Sequence, residues 1–97
     1  MPYIAAEDRP EIDRAVRALA DVLARQAHRD GEEDPTALAG MLNYAVTRLL
    51  LTLYPEPRYW RIALVTGVLE NVKQEFYRRY AAPYEDRKAA ENGDVYP

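Results

Sequence analysis

The residues able to do chemistry in this chain are few. There is no cysteine and no serine. That excludes disulfides, thiolate metal sites and the serine or cysteine nucleophiles of the common hydrolase motifs. His28 is the only histidine. It falls near the end of a helical pattern, a place the helix dipole favours for a cation. A zinc site built on it would need an all-carboxylate complement, which is unusual. Glu70 and Glu75 could in principle share acid–base or di-metal work. The Glu-x-x-His motif of di-metal bundles is absent, however, and their spacing suits intrahelical pairing with Lys73, Arg78 or Arg79 instead. No Gly-rich phosphate loop is present. These observations predict a protein that is not an enzyme and carries no metal or cofactor, with a carboxylate-based enzyme as the remaining alternative.

A second set of residues suits recognition better than catalysis. Trp60 with its neighbours Tyr59 and Arg61, then Tyr77-Arg78-Arg79-Tyr80, and then Tyr84 and Asp86 exceed what solvent-facing positions require. Trp, Tyr and Arg are the types favoured at interface hot spots, and the same groups stack on a base or hold a phosphate. Trp60, Tyr77, Arg78, Arg79, Tyr84 and Asp86 are therefore the candidate partner- or ligand-binding residues, the ligand being a small anion. Asn43 and Tyr44 interrupt the most apolar segment. Buried amide and phenol groups need partners, so Asn43 and Tyr44 with Glu70 and Glu75 form a candidate buried polar network; a ligand pocket is the alternative.

Three helical patterns must position these groups. In the first, from Glu7 to Gly31, Ile12, Val16, Leu19 and Leu23 recur at intervals of four and three. Asp8 is its expected cap, with Glu11 as capping-box partner, and Gly31 its expected stop. In the second, Asp34 caps, Pro35 takes the first helical position, and Leu38, Leu42, Ala45, Leu49 and Leu53 make a stripe. Met41, Val46, Leu50 and Leu51 widen it until the helix is apolar nearly all round, the mark of burial on more than one side. Tyr54-Pro55-Glu56-Pro57 breaks the chain. In the third, Ile62, Val65, Leu69, Val72, Phe76 and Tyr80 keep helical spacing. Gly67 interrupts that helix, which predicts a close crossing by another helix there. Pro83 is expected to start a short fourth helix that ends at Asn92-Gly93 and folds back over the third. The termini are expected to be extended arms. The fold class is all-α: a three- to four-helix bundle with extended termini, residues 1–97 forming a single domain.

Composition adds bounds. A chain of 97 residues is one domain's worth, with a thin core. Its 48% hydrophobic content is more than so small a core absorbs, which predicts a homo-oligomer, most simply a dimer. A net charge of −3 argues against a dedicated nucleic-acid binder. No apolar run approaches the roughly 20 residues of a membrane span, and the opening residues lack the basic and apolar regions of a signal peptide. The expected location is cytoplasmic, with neither membrane nor nucleic acid as partner.

Several strings together resemble a known family: Met1-Pro2-Tyr3-Ile4 with Glu7-Asp8-Arg9, Asn43-Tyr44, Tyr59-Trp60-Arg61-Ile62, Gly67-Val68-Leu69-Glu70, Glu75-Phe76-Tyr77-Arg78-Arg79, Pro83-Tyr84-Glu85-Asp86 and Glu91-Asn92-Gly93-Asp94. The chain is similar to small uncharacterised bacterial and phage proteins grouped as domain of unknown function 6899. The likeness spans nearly the whole chain and implies one intact domain, with no assigned chemistry. Two functions follow as expectations. One is a helical homo-oligomeric binding or interaction module. The other is a phage-type protein that sequesters a small nucleotide signal.

Overall fold

The structure, a computed structural model, describes residues 2–29 and 31–97, and of Arg29 and Glu33 the backbone only. Met1 of the opening motif and Asp30 lie outside these. The fold is all-α, and its residues group into two compact units, Tyr3–Pro57, and Arg58–Pro97 together with Pro2.

The first unit is a helical hairpin. A short 3-10 turn, Ala6–Asp8, leads into helix α1, Arg9–Gln26. Asp8 does not cap it: this residue already has helical backbone angles (φ −88°, ψ −8°), and its side chain accepts no backbone N–H. Its own N–H donates to the Ala5 carbonyl at 3.0 Å, so the preceding turn does the work expected of a cap. Arg9 donates through Nε and Nη2 to the Ile4 carbonyl at 3.1 and 2.8 Å and ties the N-terminal arm to the start of α1. The helix stops at Gln26, short of Gly31. Gly31 instead turns a two-residue hairpin, strand β1 (His28–Arg29) pairing antiparallel with strand β2 (Glu32–Glu33). Its φ of +81° is the left-handed conformation that glycine adopts without a Cβ penalty.

Helix α2, Pro35–Leu53, begins as predicted. Asp34 Oδ1 accepts from the Thr36 and Ala37 amides at 2.9 and 3.2 Å, and Pro35 places its missing N–H where no acceptor is lost. Burial concentrates where the two helices are joined. Ala27, at 0% exposure, is the one fully buried residue among those described. Leu23, Ala24, Ala37, Leu38, Met41 and Ala45 are half-buried around it. Away from this knot the stripes are open: Ile12, Val16 and Leu19 of α1 and Leu42, Leu49 and Leu53 of α2 are all exposed. By length and composition α2 is also sufficient to cross a membrane. Counting only uninterrupted apolar runs missed this, because Asn43, Thr47 and Arg48 break the run without lowering its average far. Arg48 is its sole charged residue.

The second unit departs most from expectation. Helix α3, Tyr59–Phe76, does not end before Pro83. It passes through a five-residue π turn, Tyr77–Ala81, into α4, Ala82–Asn92. Backbone angles stay helical at every junction: Phe76, Tyr77, Ala81 and Ala82 have φ between −60° and −75°. Among the described residues the helix count is therefore three, and the tail prolongs the third helix where a fold-back was expected. Proline explains the π turn. Pro83 has no N–H for the carbonyl four residues back, and its ring would strike that carbonyl. A wider turn, closed by the Ala82 N–H donating to the Tyr77 carbonyl, relieves both without breaking the helix. Gly93 ends the run at φ +91°.

Candidate interaction surface

The recognition residues are strung along the continuous helix from Tyr59 to Asn92. Trp60 lies at its start, with the Arg61 guanidinium 5.1 Å from its ring centre. Tyr77, Arg78 and Arg79 occupy the π turn. At the helical rise, Trp60 and Tyr77 are about 25 Å apart along the axis, so one copy of this helix does not bring them together. Arg78 is already engaged: Nη2 donates to both oxygens of Glu75, at 2.9 and 3.0 Å. Tyr84, 48% exposed, has two cations near its ring, Arg87 at 5.8 Å and Lys88 at 5.6 Å from its centre. Asp86 is exposed, and the cations near Tyr84 are those of its own helix turn.

None of the four residues assigned to a buried polar network is buried. Asn43, Tyr44 and Glu70 are exposed and Glu75 is half-buried. Glu70 accepts from Gln74 Nε2 at 3.1 Å and Glu75 from Arg78, both one turn away on the same helix. The carboxylates thus take intrahelical partners, though Glu70 takes Gln74 where Lys73 was expected. The polar interruption of α2 is local too: the Thr47 hydroxyl donates to the Asn43 carbonyl at 2.8 Å, a bond that hides a hydroxyl on a helix without a tertiary partner.

His28 sits on β1, and its Nδ1 is 2.7 Å from the Ala24 carbonyl. With Nδ1–H as donor this satisfies one of the carbonyls that the end of α1 leaves open. Among the described residues no group of three or more His, Asp or Glu side chains is placed to hold a metal ion. At Gly67 a Cβ would meet no atom within 4 Å among the described residues.

Sequence reasoning missed a different feature, namely what lies on the outside of the long helix. Ile62, Leu69, Val72, Phe76, Tyr80 and Tyr84 are exposed and Val65 half-buried. Phe76 and Tyr80 stack on each other with ring centres 4.9 Å apart and planes at 28°. From Ile62 to Phe76 the intervals run three, four, three, four, the alternation of a coiled-coil seam. That spacing was readable, but spacing alone does not tell a core face from an open one.

The model of one family matches residues 1–95, that of a domain of unknown function (DUF6899). No curated protein and no solved structure matches the chain. The chain belongs to the DUF6899 family.

Proposed function

We propose that this member of the DUF6899 family is a non-enzymatic helical interaction module of the cytoplasm that works as a homo-oligomer, most simply a two-fold dimer. The observation that carries this reading is the exposure of the apolar stripes on all three helices, with Ala27 alone fully buried among the described residues. Ordering a residue's backbone costs about 1–2 kcal/mol, and burying a whole Val, Leu, Ile or Phe side chain returns about 1.5–3 kcal/mol. Helices whose stripes stay in water recover little of that return, so the stripes call for a partner surface. A symmetric copy supplies one with the same apolar character. Protein is a better cover for α2 than lipid, since Arg48 inside a bilayer would cost about 2.5–3.5 kcal/mol near its centre.

The test is sedimentation equilibrium without detergent at micromolar concentration. A mass that is a multiple of 11.1 kDa supports the module, and the mass of one chain overturns it. The small-anion reading rests on Arg78 and Arg79 at the π turn, and Arg78 is held there by Glu75. It has a test of its own: mass spectrometry of purified protein for a bound nucleotide.

A further inference from the structure

We infer that the Ile62–Tyr84 seam of the long helix seats antiparallel on the same seam of a second copy, with the two-fold axis near Val72, and that the π turn sets the register. This rests on the oligomeric reading above and adds which face, which direction and which residues.

Three observations lead there. The first is the pairing of sizes. An antiparallel match centred near Val72 sets Leu69 against the partner copy's Phe76, Val65 against its Tyr80 and Ile62 against its Tyr84. Every aromatic meets an aliphatic residue, and Val72 approaches its own copy across the axis. Alternating large and small side chains across facing positions is how helices pack at constant spacing. A parallel match would instead put Phe76, Tyr80 and Tyr84 each against itself, wide at one end and narrow at the other. The second observation is area. The seam residues are 42–71% exposed, apart from half-buried Val65. With whole aromatic side chains at about 150–250 Å², they offer roughly 700 Å² per copy, near the roughly 800 Å² per partner of a standard interface. The third is charge. No seam position is charged, and the helix from Tyr59 to Asn92 carries six basic and five acidic residues, so two copies do not repel strongly.

The π turn is what keeps the aromatic half on the seam. Val72, Phe76, Tyr80 and Tyr84 are spaced by four throughout. In an unbroken α-helix three such steps would carry Tyr84 about 120° around the axis from Val72. The wider turn at Tyr77–Ala81 takes up an extra residue within one turn and so reduces that drift. Pro83, which enforces the π turn, thereby acts on register.

The chain lacks cysteine, so single cysteines report cleanly. Val72→Cys, Ile62→Cys, Tyr84→Cys and an outer-face control, Gly67→Cys, would be made in the full chain, checked for helicity by circular dichroism, and oxidised under mild conditions. The expected result is a covalent dimer for Val72→Cys alone among the single variants, and a mixed dimer when Ile62→Cys and Tyr84→Cys are combined. Nitroxide labels at Ile62→Cys should lie about 30 Å apart across the dimer. Self-cross-linking of all three seam cysteines, with labels about 10 Å apart, makes the pairing parallel and overturns the inference. A native-mass oligomer in which no seam cysteine cross-links, alone or mixed, places the interface elsewhere: the inference falls and the oligomeric reading stands. A single-chain mass for the parent protein removes both.

Discussion

Asp8 and Asp34 look alike in sequence, each an aspartate just before a helix with a proline close behind, and the structure separates them. Asp34 Oδ1 accepts two amides, at 2.9 and 3.2 Å; Asp8 accepts none. Replacing an aspartate at a helix start removes a cap bond and also a charge near the dipole, the latter alone about 0.3–1 kcal/mol. Comparing Asn with Ala at each site isolates the cap, because both substitutions remove the charge while Asn keeps an acceptor oxygen. At position 34 the Asn and Ala variants should differ by about 1 kcal/mol, and up to about 2. For a domain of this size 1 kcal/mol moves Tm by about 4–8 °C. At position 8 the two variants should melt within about 0.5 kcal/mol of each other, the usual range for surface changes. The assay is thermal unfolding followed by circular dichroism at 222 nm. Protomer concentration must be held fixed, since Tm of an oligomer depends on it. Equal Asn–Ala gaps at the two sites would refute the reasoning, because they would mean that the 3-10 turn before α1 does not replace the cap.

Gly67→Ala should stabilise by up to about 1 kcal/mol in thermal melts, because the helix gains propensity and a Cβ meets no atom within 4 Å; a loss of stability would reveal a close neighbour on that face. Gly31→Ala should destabilise by about 1 kcal/mol or more, since φ at that turn is +81° and a Cβ penalises the left-handed region. Ala27→Leu should cost about 1–3 kcal/mol by overpacking the one fully buried site among the described residues, and an unchanged melting point would show that the helical knot has room.

Legibility in the sequence tracked how local each cause was. The Asp34-Pro35 start of α2 and the break at Tyr54-Pro55-Glu56-Pro57 were readable because capping and proline geometry involve only a few adjacent residues. The end of α1 was not, since the glycine that resembles a C-terminal stop serves a tight hairpin five residues after Gln26. Pro83 resembles a helix start, the commoner outcome. A helix already running through Phe76 can instead absorb a proline by widening one turn, and nothing in Tyr77-Arg78-Arg79-Tyr80-Ala81 signals which outcome occurs. For the candidate site, Trp60, Tyr77, Arg78, Arg79, Tyr84 and Asp86 all fall on the long helix, a continuity that their residue types do not signal. Periodicity identified the stripe from Ile62 to Tyr80, but it cannot say whether a stripe faces a core or a partner.

That last ambiguity also explains why Asn43, Tyr44, Glu70 and Glu75 suggested a buried network. If α2 were covered on every side by its own chain, its amide and phenol would need buried partners. In the structure they are exposed, and the helix carrying them is one whose apolar face is open. Polar groups interleaved with an open apolar face make sense at a surface that is covered only on association: they keep the separate chain soluble, and hydrogen bonds across an interface cost little while water can still reach the rim. The composition that resembles a core with polar defects is, on this reading, an interface.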